Sequence, residues 1–366
     1  MVKGKVYIAA TNQHVGKTTS TLGLMDALNK RNRNVGYCKP CGEKFLEVEG
    51  HRVDKDAVLF ADIMNFPLQP RIHSPIIAGG SMVTDYIDNP NYEELTQALQ
   101  NAKKVLEARH DVMVYEGTGH PGVCSVVDYS NAQVAKTLGT GVILIVEGGI
   151  GSTVDRLMLS KHFFEHAGVQ VHGVIINKVL EHKMDKVQNY LTKRLGQLGV
   201  EIFGFLPFEK ELAYPQMSTV KKTLKAELLY GAEGLGNLVQ DYLAGSLTEE
   251  HHLNSDVQYL LMVSSRRLST ALDRLRAFWK QQNTEPHLAG LVLTGKEGIS
   301  KKNAEFLKRH QIPTILTNYD TYEAITKLNR IEVKINTKTP QKVKRAIELF
   351  GKHVDVDKIC SSIGLC

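Results

Sequence analysis

The sequence Ala10-Thr11-Asn12-Gln13-His14-Val15-Gly16-Lys17-Thr18 joins two segments of different periodicity. The apolar run Val6-Tyr7-Ile8-Ala9 precedes it, and Thr19-Ser20-Thr21-Leu22-Gly23-Leu24-Met25 follows it. This order predicts a strand, a tight loop and a helix. In such a loop the backbone N–H groups and the N-terminus of the helix bind a phosphate, while the lysine contacts the outer phosphates. The segment is therefore predicted to bind the phosphates of a nucleotide.

The match to the phosphate-loop consensus is partial. The consensus has a glycine, four residues and then Gly-Lys-Ser/Thr, but Thr11 occupies the glycine position and Ala10 is the nearest small residue. The alternative is an ordinary strand-to-helix turn with an exposed lysine. Because strand, Gly-Lys-Thr and helix occur in the right order, we favour phosphate binding, with Lys17 as a catalytic residue and the Thr18 hydroxyl as a Mg²⁺ ligand. The predicted nucleotide-binding residues of this loop are Gln13, His14, Val15, Gly16, Lys17, Thr18 and Thr19.

Composition excludes several classes of protein. The chain has 366 residues, of which 42% are hydrophobic and 23% charged, so it is long enough for two domains with cores. No signal pattern and no apolar run of membrane-spanning length occurs, and we expect a soluble cytoplasmic protein with no membrane partner. The net charge of +6 is spread over helical segments and interleaved with acids, which argues against nucleic-acid binding. Five cysteines are too few for a disulfide framework, so free thiols are expected.

The phosphate loop resembles that of dethiobiotin synthetase and its relatives. These include the cobyrinic acid amidating enzymes and the amino-terminal region of long bacterial phosphate acetyltransferases, in which five residues separate the first small residue from Gly-Lys-Thr. Ala10 stands where dethiobiotin synthetase has glycine. The resemblance implies an α/β fold of the P-loop NTPase type, a mostly parallel sheet flanked by helices, with MgATP at the carboxyl ends of the strands.

Three further positions match the site residues of these relatives. Lys39, in Lys39-Pro40 after the second apolar run, matches a lysine that contacts phosphate and substrate groups, so we predict that it is catalytic. Asp56 matches an aspartate that coordinates Mg²⁺ before a helix; Asp54 is the second candidate, and either could be only an N-cap. Glu116 ends the strand over residues 111–116 and matches a Mg²⁺-binding glutamate.

The glycines after Glu116 complete the resemblance at this strand. Glu116-Gly117-Thr118-Gly119 is similar to the Glu-Gly-Ala-Gly of dethiobiotin synthetase, whose glycines approach the substrate carboxylate. Gly117, Thr118 and Gly119 are therefore predicted substrate residues. Residues 70–90, rich in proline and glycine, are predicted to form a loop that could be one wall of an acceptor site, before a helix over 91–110.

Base recognition is assigned from the last two strands of this region. The runs 141–147, 171–178 and 201–208 are apolar and predict buried parallel strands. Asn177 stands where the relatives place an asparagine against adenine, and Pro207 lies in the loop that they bring over the base. An Asn-Lys pair also occurs in the guanine motif of GTPases, but Leu180 replaces the aspartate of that motif. ATP is therefore preferred over GTP.

Two cysteine and histidine patterns have competing interpretations. Cys38-Lys39-Pro40-Cys41 has the spacing of a thioredoxin-like motif or of half a zinc site, but the cysteines are better explained as residues at a strand end. His120 and Cys124 follow the Glu116 motif and could be an acid–base group and a nucleophile. No second group that would activate Cys124 is evident, so a plain loop role is favoured for both.

A second domain is expected over residues 213–366, after a first domain over 1–212. The segments 214–220, 231–235, 245–251, 291–295 and 312–322 resemble the DRTGG-type domain, which follows the dethiobiotin synthetase-like region in long phosphate acetyltransferases. Arg266 and Arg267, before a helix predicted to run to Gln282, could bind a phosphate or carboxylate. The chain ends at Cys366, so we do not expect acetyl transfer by this chain alone. The resemblance also implies a homodimer.

Three functions remain open from the sequence. The first is an Mg²⁺-dependent protein that binds and hydrolyses ATP, with a second domain that senses a metabolite or joins protomers and so makes it a regulator. The second is a ligase that activates a small carboxylate, carbamate or acyl metabolite as a mixed phosphoric anhydride. The third is a degenerate fold that no longer hydrolyses ATP because the Ala10 loop does not hold phosphate.

Overall fold

The structure is a computed structural model that describes residues 2–244, 253–254, 256–284, 288–295, 299–331, 333, 335–336 and 339–365. It consists of two compact units. The first comprises Met1–Glu209 together with Ile335–Cys366, and the second comprises Lys210–Lys334. From the sequence, all of residues 213–366 are expected in the second domain. In the structure, Ile335–Cys366 belongs to the first unit.

The six strands of the main sheet of the first unit follow apolar runs of the sequence. The strands of this unit are β1 (Gly4–Ala10), β2 (Val35–Cys38), β3 (Cys41–Gly42), β4 (Phe45–Val48), β5 (His51–Asp54), β6 (Ile76–Ile77), β7 (Val112–Glu116), β8 (Gly141–Glu147), β9 (Val171–Val179) and β10 (Ile202–Pro207). Within the described residues, six of them form a parallel sheet in the order β10-β9-β8-β1-β7-β2, and the shorter strands pair as β3 with β6 and β4 with β5.

Helices cover this sheet. They begin and end close to the positions expected from sequence: the helix predicted over 91–110 is observed over Tyr92–Arg109, but residues 70–90 hold two short helices and β6 rather than only a loop. The helices of this unit up to Glu209 are α1 (Lys17–Asn29), α2 (Lys55–Met64), α3 (Pro70–His73), α4 (Met82–Asp88), α5 (Tyr92–Arg109), α6 (Asn131–Leu138), α7 (Gly151–His166) and α8 (Met184–Gln197).

The central strands are buried on both faces. Every residue of β7 is buried, and in β8 only the end residues Gly141 and Glu147 are accessible. Near-continuous Val, Ile and Leu runs of this kind are typical of parallel strands between two helical layers. The carboxyl ends of β1, β7 and β2 therefore meet at one edge of the sheet, which is where ligands bind in folds of this class.

The second unit has a sheet of its own. Its described elements include α9 (Lys210–Ala213), α10 (Met217–Thr223), β11 (Glu227–Tyr230), β12 (Asp241–Ala244), β13 (Tyr259–Ser264), α11 (Leu268–Gln282), β14 (Gly290–Thr294), α12 (Lys301–Arg309), β15 (Thr314–Thr317) and α13 (Thr321–Leu328). Within the described residues the strand order is β11-β15-β14-β13-β12; β11 is antiparallel to its neighbour β15, and the other strands are parallel. Apolar clusters lie on both faces of this sheet. The DRTGG-like segment 245–251 lies outside the described residues.

The C-terminal segment packs on the first unit through α14 (Pro340–His353) and α15 (Val356–Ser362). Phe350 of α14 is fully buried against Gly23 of α1, where an added Cβ would lie 2.2 Å from the Phe350 Cβ. The backbone N–H of Asp355 donates to the Phe203 carbonyl at 2.7 Å, beside the edge strand β10. An amphipathic helix buries its apolar face against another apolar surface. α1 provides this surface for α14, which explains why the C-terminal segment packs on the first unit although it follows the second unit in the chain.

Candidate nucleotide-binding site

The phosphate loop connects β1 to α1. Gly16 is the N-cap of α1 with φ of 105°, and a Cβ there would lie 2.1 Å from Nδ2 of Asn177, so both backbone angle and space require glycine. Ala10 belongs to β1 and pairs with Ile145 of β8. Ala10 is not among the residues with positive φ. A side chain at Ala10 therefore does not strain the loop, and the departure from the consensus at this position has no backbone cost.

Two residues of the phosphate loop contact Glu116, at the end of β7, and the loop that follows it. The Thr18 hydroxyl donates to Glu116 Oε1 at 3.0 Å, and the Lys17 ammonium donates to the carbonyl of Gly119 at 2.7 Å. Glu116 is completely buried at the carboxyl end of β7, next to β1. The predicted Mg²⁺ ligands Thr18 and Glu116 are thus neighbours in the structure.

Lys39 joins the remaining acids to this group. Its ammonium donates to Asp56 Oδ2 at 2.8 Å, to Glu116 Oε1 at 3.2 Å and to the Gly117 carbonyl at 3.0 Å, and the residue is 2% exposed. Burial by itself lowers the pKa of a lysine, but the carboxylates of Asp56, Glu116 and Asp54 outweigh it and hold the Lys39 pKa well above its ordinary value. Lys39 is therefore a permanent buried cation.

The two candidate aspartates have different positions. Asp54 is the N-cap of α2: its side chain accepts from the backbone N–H of Asp56 at 2.8 Å. Asp56 lies in the first turn of α2, and its carboxylate reaches Lys39. Burial raises the pKa of Asp54 to about 6, although Lys39 opposes this. The geometry therefore places Asp56 in the polar cluster and gives Asp54 a capping role.

The glycine-containing loop after Glu116 is shaped by Asn131, which sequence reasoning missed. The Asn131 Oδ1 accepts from the Tyr7 hydroxyl at 2.7 Å and from the Thr118 N–H at 3.0 Å, and its Nδ2 donates to the carbonyls of Thr118 at 2.7 Å and His120 at 2.6 Å. All four hydrogen-bonding positions of the buried amide are used. From the sequence, Asn131 could be recognised only as the first residue of a helix, directly after the N-cap Ser130.

Gly117 and Thr118 are also fixed by packing. A Cβ at Gly117 would lie 2.5 Å from Asn131 Oδ1 and 2.8 Å from the Tyr7 ring, so glycine is required there. The Thr118 hydroxyl donates to the Cys41 carbonyl. The predicted substrate residues Gly117, Thr118 and Gly119 thus form one loop beside Lys17 and Lys39, here called the substrate loop. Hydrogen bonds with Asn131 and packing at Gly117 fix its backbone.

The residues expected at the base lie apart from this cluster. The Asn177 amide donates to the carbonyl of Val15 at 2.7 Å and its oxygen accepts from the Lys178 N–H at 2.8 Å, so in this structure Asn177 supports the back of the phosphate loop. Pro207 ends β10, and the following N–H of Phe208 donates to the Val179 carbonyl at 2.8 Å. Base recognition by Asn177 and Pro207 stays a prediction.

The other candidate residues fall in ordinary positions. Cys38 ends β2 and Cys41 lies in β3, with no helix opening between them. In the part of the chain that the structure describes, no group of three or more His, Cys, Asp or Glu could hold a metal ion. Arg266 and Arg267 are exposed in a single 3₁₀ turn before α11 of the second unit.

The donor set fits the expected nucleotide and magnesium. One hydroxyl and two carboxylates, from Thr18, Asp56 and Glu116, are the hard oxygen ligands that Mg²⁺ prefers. One ammonium, that of Lys39, is shared by both carboxyl groups, at 2.8 Å from Asp56 Oδ2 and 3.2 Å from Glu116 Oε1. The N-terminus of α1, with Gly16 turned into the left-handed region, offers N–H groups to an anion.

Comparison with known proteins agrees with this description. A family model described as "AAA domain" matches residues 4–216, and a model described as "DRTGG domain" matches residues 219–331. A phosphate acetyltransferase from Nitratidesulfovibrio vulgaris is 24% identical over 99% of this chain and 52% of its own length. An ATP-dependent dethiobiotin synthetase BioD from Clostridium kluyveri is 27% identical over 49% of this chain and 75% of its own length.

The chain spans about half the length of the curated phosphate acetyltransferases that it matches. Among solved structures, the MinC:MinD cell division protein complex from Aquifex aeolicus matches 57% of this chain and 84% of its own, with 14% identity and a TM-score of 0.37. The sheet order, the phosphate loop and the matched models are consistent with one another. The chain therefore belongs to the AAA domain family through residues 4–216 and carries a DRTGG domain over residues 219–331.

Proposed function

We propose that the first unit binds MgATP and hydrolyses it, and that the DRTGG unit regulates this activity. The observation that carries the proposal is the buried cluster in which Thr18, Lys39, Asp56 and Glu116 meet beside the phosphate loop. These residues lie at the carboxyl ends of parallel strands, the edge at which ligands bind in folds of this class. Such a cluster is suited to a metal–phosphate ligand.

Each residue has a role in this proposal. Lys17 and the N–H groups at the start of α1 bind the outer phosphates, and Lys39 neutralises charge that develops on the transferred phosphoryl group. Thr18, Asp56 and Glu116 would hold Mg²⁺, which when bound neutralises phosphate oxygens and orients them. Lys39 is already fixed by Asp56, Glu116 and the Gly117 carbonyl, so its ammonium needs little reorganisation during the reaction.

A second candidate function is an ATP-dependent ligase. It is favoured by the loop of Gly117, Thr118 and Gly119, which lies beside Lys17 and Lys39 and has its backbone fixed by Asn131. A small carboxylate bound there would attack the γ-phosphorus of ATP, break its bond to the β,γ-bridging oxygen and release ADP, which leaves the acyl group as a mixed phosphoric anhydride; the same residues would neutralise the charge. Turnover with candidate acceptors separates the two functions, because a regulatory ATPase stays slow with all of them.

The remaining proposals concern assembly and base choice. We propose a homodimer, based on the resemblance to dethiobiotin synthetase, and adenine rather than guanine as the base, because Leu180 stands where GTPases have aspartate. Sedimentation or light scattering with and without MgATP measures the first. Titration with MgATP and MgGTP measures the second.

The first experiment is calorimetric titration of MgATP into the wild-type protein, Lys17→Ala and Lys193→Ala. Lys193 is an exposed lysine of α8, so its replacement controls for the loss of one positive charge. We expect binding to wild type and Lys193→Ala and at least about tenfold weaker binding to Lys17→Ala, the loss expected for a charge-assisted contact. No binding to the wild type, or equal binding to Lys17→Ala, would contradict the proposal.

A further inference from the structure

Two cysteines from distant parts of the chain lie against each other behind the substrate loop. The Sγ atoms of Cys41, in β3, and Cys124, in the loop after β7, are 2.6 Å apart. A disulfide bond of about 2.05 Å would need them to approach by only roughly another half ångström. Both are described as thiols, 3% and 7% exposed. The fold thus holds two thiols at near-bonding distance.

The backbone at Cys124 is unusual for a cysteine. Its φ of 71° lies in the left-handed region, which glycine and asparagine adopt readily and other residues do so at a cost of order 1 kcal/mol. Glycine at this position would relieve that cost. The side chain is therefore present against the backbone preference, and its sulfur lies against the sulfur of Cys41.

The neighbouring cysteine has a different partner. The Cys38 thiol lies 3.5 Å from the carbonyl of Ile72, to which it donates. The spacing Cys38-x-x-Cys41 therefore does not produce a pair in the structure, and the pair is Cys41 with Cys124. Spacing in the sequence could not indicate this, because 83 positions separate the two residues.

We propose that Cys41 and Cys124 are a modification site, a dithiol that is oxidised reversibly to a disulfide by low-molecular-weight disulfides. One thiol, as thiolate, attacks the external disulfide R–S–S–R, releases one R–SH and forms a mixed disulfide. The second thiol attacks the mixed disulfide, releases the second R–SH and leaves the Cys41–Cys124 bond. Two protein thiols are oxidised and one external disulfide is reduced to two thiols, so atoms and electrons balance.

The order of attack follows from the surroundings. Cys124 adjoins the exposed residues Ser125 and Val126, whereas Cys41 lies deeper. The pKa of the Cys41 thiol is raised well above its ordinary value, first by its hydrogen bond with Cys124 and then by burial. Cys124 is therefore the first to react, and Cys41 resolves the mixed disulfide.

The bond would join two elements of the nucleotide site. The Cys41 carbonyl accepts from the Thr118 hydroxyl, and the Gly119 carbonyl accepts from Lys17, so the loop over 117–124 touches both β3 and the phosphate loop. A cross-link between Cys41 and Cys124 limits how far this loop can open. Formation of the disulfide rests on this geometry alone and does not depend on the proposed ATPase function.

The test uses the folded full-length protein in buffers of oxidised and reduced glutathione. Free thiols are alkylated, the protein is digested without reduction, and linked peptides are measured by mass spectrometry in wild type, Cys38→Ala and Cys124→Gly. We expect a Cys41–Cys124 peptide in wild type and in Cys38→Ala that disappears on reduction and is absent in Cys124→Gly. A Cys38–Cys41 peptide, or alkylation of both Cys41 and Cys124 under oxidising conditions, would overturn the proposal.

Amide hydrogen exchange gives a second readout that requires no nucleotide. We expect exchange in residues 118–124 to slow by about tenfold or more on oxidation of the wild type, which corresponds to about 1.4 kcal/mol in the free energy of local opening. Cys124→Gly, whose glycine suits the positive φ, should show no redox dependence. Equal exchange in oxidised and reduced wild type would overturn the role of the bond in closing the loop.

Discussion

The Lys39 side chain joins three elements of the candidate nucleotide site. Its ammonium contacts Asp56, Glu116 and the Gly117 carbonyl, and so connects α2, β7 and the substrate loop through one atom. A buried charge that loses its partner is far more costly than an exposed one, so the cluster responds strongly to a change in any member. The two aspartates at the start of α2 offer a direct comparison, because only one of them reaches Lys39.

Replacement of Asp56 by asparagine is expected to lower MgATP turnover by roughly tenfold to a hundredfold. The variant removes one charge partner of Lys39 and one proposed Mg²⁺ ligand, and a charge-assisted contact of this kind is worth about 1.5–3 kcal/mol. The measurement is steady-state phosphate release at several Mg²⁺ concentrations.

Asp54→Asn is the matched control, since asparagine is also a good N-cap and can accept from the Asp56 N–H. We expect turnover within about threefold of wild type for this variant, because the capping contact is kept. Thermal unfolding of both variants shows whether either has lost its fold. If Asp54→Asn were the more impaired of two equally stable variants, the assignment of the aspartates would be reversed.

At the scale of elements, α1 is held between the sheet and α14. Gly23 lies in the middle of α1, where glycine is ordinarily unfavourable by about 1 kcal/mol relative to alanine. Here the absence of a Cβ allows the close approach of Phe350. The helix that follows the phosphate loop is thus packed by a segment more than 300 positions later in the chain.

Gly23→Ala is expected to destabilise the protein by about 1–3 kcal/mol, because the new methyl group would overlap Phe350 in a packed interface. Gly196→Ala, in α8, is the control: nothing lies within 4 Å of a Cβ there, and the helix propensity of alanine should stabilise by up to about 1 kcal/mol. Chemical denaturation measures both. Equal effects of the two substitutions would show that α14 does not pack on Gly23.

The short helix α3 provides a prediction about pH. His73 is buried, and its Nδ1 lies 2.9 Å from the Gln69 backbone nitrogen and 3.2 Å from the Gln69 carbonyl. Burial lowers the pKa of His73 to about 4; the hydrogen bond with the Gln69 backbone opposes this, and the charges of His110 and Arg109 add smaller effects in the same direction as burial. An unfolded histidine has a pKa near 6.5, so the unfolded state takes up the proton first as pH falls. The free energy of unfolding should therefore decrease between about pH 6.5 and pH 4.

The comparison protein is His73→Asn, whose side-chain oxygen can accept from the same N–H. Wild type should lose up to about 3 kcal/mol relative to this variant across that interval, the amount that corresponds to the pKa change. Asp54, whose pKa of about 6 acts in the opposite direction, is present in both proteins and cancels in the difference. Parallel pH profiles of wild type and variant would contradict the prediction.

At the scale of the whole molecule, the second unit is an insertion between β10 and the C-terminal helices. The AAA domain model ends at residue 216 and the DRTGG model at 331, so the C-terminal segment falls outside both. Yet its residues Leu349, Phe350 and Ile359 are buried in the first unit.

No helix in the described part of the chain is sufficiently long and apolar to span a membrane.

This arrangement predicts the result of two deletions. A chain of residues 1–212, the first domain expected from sequence, should be several kcal/mol less stable than a chain in which a Gly/Ser linker replaces residues 210–334. The first deletion exposes the surface that Phe350 covers, and loss of one buried phenylalanine alone costs about 3–5 kcal/mol. Thermal unfolding of the two chains gives the comparison. Equal stability would mean that the C-terminal segment is dispensable.

Much of the site could be predicted from the sequence because its parts are local. Gly16, Lys17 and Thr18 are adjacent, and the acid of Glu116 directly follows an apolar strand. Asn131 and Cys124 could not be placed, since their roles depend on contacts with Tyr7 and Cys41 across the fold. The choice between Asp54 and Asp56 also required the structure, because an N-cap and a cluster residue have similar sequence surroundings.

The sequence by itself determined the fold class, the phosphate loop and the order of the strands along the chain. The main strands and the phosphate loop follow from hydrophobic period and from turn residues, which act over a few positions, and the fold class follows from the resemblance that these motifs carry. Only the tertiary structure decided the pairing of Cys41 with Cys124, the charge balance around Lys39 and the return of Ile335–Cys366 to the first unit. These depend on the burial of groups far apart in sequence, and burial is a property of the packed molecule.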